Sequence, residues 1–302
     1  MLTSIIKYGK KLLLLLLMAA MITMQFGNNK RYSYADYSEN EIRDVDIVIR
    51  AGEWGNKEQV KSGKRYEWGG DINISRHGIS IKKIPKDIPI RCDENGQWFI
   101  SEYDINLKLA KAIAKKLDEY GVNVNLQYSE NKSSDLNAAG RRAAQCNPKI
   151  YLSVHHNAYD DNSTGYFFMY NEGDVKSAKS AQKLSNSIKN NGRIPQRENR
   201  SNNGYIGELN TVKSESRISI LGEFGYFNKA EIVNICSDEY VNYVAEHVAK
   251  ELVDQLNQIE QSTMKVISSN TEEIKLRFVD NIAVIENKVT NTTNEVVTLK
   301  FR

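Results

Sequence analysis

Short runs of bulky apolar residues alternate along this chain with segments whose apolar residues recur every four positions. That alternation restricts the fold more than any other feature of its 302 residues. Residues 46–50 (Asp46-Ile47-Val48-Ile49-Arg50), 122–128, 149–154, 165–170 and 217–221 have the length and bulk of strands. Between them Ile105, Leu109, Ile113 and Leu117 repeat at helical spacing, with Asp104 as the expected cap and Gly121 as the stop. Further helices are expected over 136–146, ending before Pro148, over 175–189, and through Tyr240, Val244, Val248 and Leu252. Strands alternating with helices imply an α/β fold, a mostly parallel twisted sheet with helices on both faces.

Two stretches depart from the pattern. Residues 56–100 hold scattered glycines with Pro85 and Pro89, and read as an insertion with a few short strands. All three tryptophans, Trp54, Trp68 and Trp98, fall in or beside it with Tyr66 and Phe99. Exposed rings there would suit stacking on sugars; the alternative is that they form the insertion's own small core. Residues 193–213 are polar and patternless, and are expected to form a surface loop or lid. The expected organisation is a leader at 1–35, a main α/β domain at 36–260 with its insertion, and a small β appendage or incomplete β module at 261–302.

The leader carries Lys7, Lys10 and Lys11 ahead of the apolar run 12–24, then Ser33-Tyr34-Ala35. A basic region, a short apolar core and small residues two apart describe a secretory signal with cleavage after Ala35. An uncleaved anchor is the alternative, although a membrane span needs about 20 apolar residues. Either way the remainder is expected to be exported, with no span in the mature chain. Residues 1–35 hold five basic residues and no acid, so removing them leaves 41 − 5 = 36 basic against 38 acidic residues. The basicity belongs to the leader, and no electrostatic case for nucleic acid remains. Cys92, Cys146 and Cys236 are odd in number and widely spaced, which argues for small apolar fillers over a disulfide framework.

Two of the four histidines stand together in Ser153-Val154-His155-His156-Asn157, where a buried strand gives way to polar chain. Parallel sheets place ligands and catalysts at the carboxyl ends of strands. Glu53 follows the first strand, Glu223 ends a later one, and Glu102 stands just before the first helix. A histidine and carboxylates meeting at one sheet edge can hold Zn²⁺ by three side chains. A further Glu can then exchange protons with water and the leaving amine.

These segments resemble the zinc-dependent N-acetylmuramoyl-L-alanine amidases of bacterial cell walls, over roughly residues 45–257. That family's Ser-x-His-x-Asn segment matches residues 153–157. Its ligand Glu before an Asn-Leu helix start matches Glu102 with Asn106-Leu107, and its catalytic Glu motif looks like Glu223-Phe224-Gly225-Tyr226-Phe227-Asn228. The resemblance implies an amidase fold, a phosphorylase/hydrolase-like sheet, and hydrolysis of the muramyl–L-alanine amide of peptidoglycan outside the cytoplasm. It implies Glu102 and His155 as metal ligands and Glu223 as the catalytic acid-base, with Asn157 and Trp54 as candidates for substrate contact.

One departure matters chemically. The family's first ligand is a His in a Gly-His context; here Gly52-Glu53-Trp54 offers a Glu, which becomes the expected third ligand. Two His and one Glu around Zn²⁺ leave a charge of +1, whereas Glu53, Glu102 and His155 leave 2 − 2 = 0. A neutral set acidifies bound water less, and its harder donors tolerate Mn²⁺ better. Three readings stay open: Glu53 ligates, His77 swings in from the insertion, or the site is degenerate and the protein binds wall glycopeptide or a wall protein without cutting. His156 should face away from the ion, because successive strand residues face opposite sides. His247, in the last helix, is expected to be structural.

Overall fold

A computed structural model of the chain describes residues 44–53, 71–128, 136–269, 271–279, 282–289 and 297–299. The leader, Trp54, Tyr66 and Trp68 lie outside the described residues. In chain order the elements are β1 (Ile47–Ala51), β2 (Asp71–Asn73), β3 (Arg91–Cys92), β4 (Trp98–Ser101), α1 (Glu102–Glu119), β5 (Val124–Gln127), α2 (Leu136–Gln145) and β6 (Ile150–Asn157). There follow β7 (Phe167–Asn171), α3 (Val175–Ser187), β8 (Arg200–Asn202), α4 (Gly207–Val212), β9 (Ile218–Tyr226), α5 (Ile232–Cys236) and α6 (Asp238–Ser269). Last come β10 (Thr271–Val279), β11 (Ile282–Val289) and β12 (Val297–Leu299). The chain divides into two compact units, Met1–Val253 and Asp254–Arg302.

In the first unit a six-stranded sheet runs in the order β5-β1-β6-β9-β7-β8. β1, β5, β6 and β9 are mutually parallel, and β7 turns antiparallel to β9. β1 and β6 are buried along almost their whole length because central parallel strands are covered on both faces. Val48, Tyr151, Phe167, Met169 and Leu221 pack on one face with Ala143 and Cys146 of the α2 region and Leu209 and Val212 of α4. α1 packs against β1, β5 and β6 and buries Ile105, Leu109, Ile113 and Leu117. At about 1.5–3 kcal/mol for each buried aliphatic, those four contribute on the order of 6–12 kcal/mol.

Two expectations are corrected here. The cap of α1 is Ser101, extended at φ −94 and ψ 141, whose hydroxyl accepts the Tyr103 N–H at 3.2 Å. Asp104 sits inside the first turn, held by Arg91 at 2.5 Å, because β4 runs straight into the helix and leaves no loop for a later start. The supposed loop over 193–213 holds β8, which extends the sheet parallel to β7, and α4, which is packed into the core. Three and six residues are too few to show a period.

The insertion contributes a three-stranded antiparallel sheet, β2-β4-β3, in which Phe99 is buried and Trp98 exposed. Cys146 and Cys236 are buried and Cys92 partly so, all as free thiols. In the second unit β10, β11 and β12 form an antiparallel sheet.

Candidate metal centre

The carboxyl edge of the sheet gathers the singled-out side chains from four elements. β1 ends at Ala51, and the chain then passes through Gly52 to Glu53, whose φ of 57 is left-handed. A non-glycine residue adopts that state at a cost of about 1–3 kcal/mol, so the surrounding structure must hold it. β6 delivers His155, 8% exposed, and α1 opens with Glu102, 6% exposed. His155 Nδ1 lies 3.6 Å from Glu102 Oε1 and 3.9 Å from Glu53 Oε1. One ligand atom from each of the three falls within 4.8 Å of the others.

Glu102 is held in place. Its Oε1 accepts the Asn106 side-chain amide at 3.1 Å and the His156 backbone N–H at 3.2 Å. Asn106 Oδ1 meets His156 Nδ1 at 2.7 Å. The neighbouring histidine is therefore turned onto α1, and Asn106 ties it to the carboxylate. Burial, with a further push from His155, lowers the His156 pKa to about 3.

Glu223 is fixed by register. It pairs with His155 across parallel β6 and β9, and the next pair is Asn157 with Tyr226. β9 therefore carries one extra residue at this point, a bulge that includes Gly225 at φ 123. A Cβ on Gly225 would stand 2.6 Å from Ile235 Cγ2, so the residue is constrained by space as well as by its backbone. Asn157 closes β6 half-buried, its carbonyl accepting the Phe227 N–H at 2.7 Å.

The structure adds a residue that sequence reading missed. Glu208 of α4 is fully buried, with Oε2 2.6 Å from Arg50 Nη1 and 3.0 Å from the Tyr151 hydroxyl. Its Oε1 lies 3.5 Å from His155 Nε2. A lone Glu in a polar stretch reads as solvent-exposed; only Arg50, a charge at the end of an otherwise apolar strand, hinted at a buried partner.

Electrostatics follow from four carboxylates in one partly dry place. Burial and the acids around it push Glu223 up to about 8, with His155 opposing. Glu53 is raised by burial and by Glu102, against His155 and Arg50. Burial alone would raise Glu208, but Arg50 and His155 outweigh it and bring it down to about 2. Burial disfavours charge on His155, yet Glu102 and Glu208 lift its pKa well above the ordinary value.

These residues fit a divalent cation. Two ligand atoms at about 2.1 Å from one tetrahedral ion stand roughly 3.4 Å apart, close to both His155–carboxylate separations. Glu223 Oε2 is buried with no hydrogen-bond partner. His77 stands apart, its Nδ1 3.4 Å from Asp161 Oδ2. His247 stacks on Tyr243 at 4.0 Å within α6.

Gly52 is the tightest point of the cluster. A Cβ there would lie 2.3 Å from Cε1 and Nε2 of His155. Gly52→Ala should therefore displace the ring, cost about 1–3 kcal/mol as an overpacked site, and weaken zinc uptake. Thermal melting and zinc titration check this; wild-type values in both would show that the ring is not seated against Gly52.

Fold and site together describe an α/β protein with acids and a histidine gathered at the carboxyl edge of its sheet. The sequence pattern of the N-acetylmuramoyl-L-alanine amidase family matches residues 92–254, more than half of the chain, and the chain belongs to that family. The matched span includes Glu102, His155 and Glu223 and begins after Glu53. No curated protein matches the chain in sequence. Among solved structures it is similar to an N-acetylmuramoyl-L-alanine amidase from Clostridium difficile 630, at 19% identity and a TM-score of 0.51, covering 71% of this chain and 98% of that one. It is similar to the catalytic domain of CwlV from Bacillus (Paenibacillus) polymyxa var. colistinus, at 19% identity and a TM-score of 0.52, over 70% and 98%. AmiC2 of Nostoc punctiforme matches at 21% identity and 0.50, over 72% and 99%. The mostly parallel sheet is thus the fold of these amidases, and the family's reaction is cleavage of an amide in peptidoglycan.

Proposed function

We propose that this chain cleaves the amide between the muramyl lactyl group and L-alanine with one zinc ion held by Glu53, Glu102 and His155. The grouping of those three ligand atoms, with Glu223 in register beside His155, carries the reading. The chemistry supplied by the ion when bound is Lewis acidity toward the scissile carbonyl and a water molecule. Glu223 takes the proton of the attacking water and returns it to the leaving amine. Glu102 is tethered through Oε1 by Asn106 and the His156 amide, which holds that oxygen 3.6 Å from His155 Nδ1. Asn157 and Trp54 are proposed substrate contacts. Residues 1–35 would export the protein to the wall, where peptidoglycan is its partner. Among the described residues no helix is long and apolar enough to cross a membrane.

Purified protein should hold about one zinc per chain and release new amino-terminal alanine from peptidoglycan. A chain that binds wall fragments, holds no metal and releases nothing would refute the reading.

The neutral ligand set gives a second expected result. Glu53→His exchanges a carboxylate for imidazole, restores a net +1, and suits zinc better than manganese. The ratio of zinc to manganese affinity should rise on the order of tenfold, about 1.4 kcal/mol. Competitive metal titration measures it, and an unchanged ratio would remove Glu53 from the ligand set.

A further inference from the structure

We infer that Glu208, clamped by Arg50 and Tyr151, is the positioning residue for His155: its free oxygen takes the imidazole Nε2–H and leaves Nδ1 bare toward Glu53 and Glu102. The inference rests on the metal reading proposed above and assigns a role to residues outside the ligand set.

Geometry carries it. His155 Nε2 and Glu208 Oε1 are both buried, neither makes a hydrogen bond, and they face each other at 3.5 Å. The opposite ring nitrogen faces Glu102 at 3.6 Å and Glu53 at 3.9 Å. The two nitrogens thus address two separate carboxylate groups: Glu208, which lies outside the proposed ligand set, and the pair Glu53 and Glu102 within it. Turning the ring by half a revolution would present carbon to Glu208 and to Glu102 alike. Both orphaned atoms would then stay unsatisfied, at about 1–3 kcal/mol each. The ring also lies against Gly52, where even one added carbon would touch it at 2.3 Å.

Glu208 is itself over-determined. Arg50 on β1 holds Oε2 at 2.6 Å and the Tyr151 hydroxyl on β6 reaches the same oxygen at 3.0 Å. Arg50 also points toward Ser153 Oγ at 3.4 Å. The acid is therefore fixed by two adjacent strands and carries a compensating charge, so it can polarise the imidazole without adding a net negative charge to the cluster. Partners of this kind fix the tautomer of a metal-binding histidine and strengthen it as a ligand, and their loss weakens metal affinity about 10–100-fold.

Zinc-loaded wild-type protein labelled with ¹⁵N-histidine should show His155 with a proton on Nε2 and zinc on Nδ1. The opposite tautomer would overturn the inference. In parallel, Glu208→Gln should bind zinc about 10–100-fold more weakly in a competition titration, with wild-type affinity as the contrary result. Should that variant fail to fold because Arg50 loses its counter-charge, the double variant Arg50→Met with Glu208→Leu removes both charges at once. The same loss of affinity is expected there, and unchanged affinity would overturn the role. A wild-type chain that takes up no zinc sinks the metal reading and this inference together, whereas zinc bound through Nε2 sinks this inference alone.

Discussion

Glu223→Gln should leave zinc bound while hydrolysis of peptidoglycan falls by about 10²–10⁴-fold, the usual contribution of a positioned acid-base group. The amide has the size of the carboxyl, so the bulge in β9 and the pairing with His155 persist. What disappears is the basic oxygen that receives a proton. Release of new amino-terminal alanine, measured beside zinc content, tests both halves of this outcome. Loss of zinc together with activity would make Glu223 a ligand, and retained turnover would remove it from the chemistry. The variant should not be less stable, because Glu223 is an acid pushed up to about 8 by burial and by neighbouring carboxylates. Exchanging it for a neutral amide removes that conflict.

The same conflict makes zinc affinity climb with pH. Glu223 is held up to about 8, and Glu53 and His155 are also raised. Below about pH 8 the cluster therefore carries protons that a cation must displace. Each proton released adds roughly tenfold in affinity per pH unit, so one proton gives about a hundredfold between pH 5.5 and 7.5. Titration calorimetry in buffers of different ionisation enthalpy counts the protons directly. Affinity independent of pH would mean that the acids do not share the ion's surroundings.

Stability of the metal-free chain should run the other way. Glu223 binds its proton more tightly folded than unfolded, where the ordinary value is 4.5, so its contribution is lost as pH rises toward about 8. His155, raised above 6.5, has the same sign. His156, lowered to about 3, acts only below 6.5 and in the opposite direction. Between pH 6.5 and 8 the metal-free melting temperature should therefore fall, with Glu223 alone contributing the equivalent of about 2 kcal/mol and His155 adding to it, and added zinc should reverse the trend.

Much of the site could be read from local sequence. Each of Glu102, His155 and Glu223 sits in a short context that fixes its backbone. Ser101 caps a helix that begins at Glu102. A strand with an apolar start carries His155 to the sheet edge, and a strand bulged at Gly225 carries Glu223. Glu102 has a further local partner in Asn106, one helical turn on. The alternation of strands and helices similarly implied the parallel sheet, because covering both faces of such a sheet demands that order.

The sequence by itself determined which residues could meet an ion and which edge of a sheet would carry them, since those signals lie within a few residues of each side chain. Tertiary structure alone decided that Glu53 leaves its strand left-handed, that His155 presses on Gly52, and that a six-residue helix swings Glu208 in behind the imidazole. Arg50 and Glu208 stand 158 positions apart. Nothing local in either segment encodes that pairing: packing alone shuts both charges away from water, where a buried ion is costly unless it is paired.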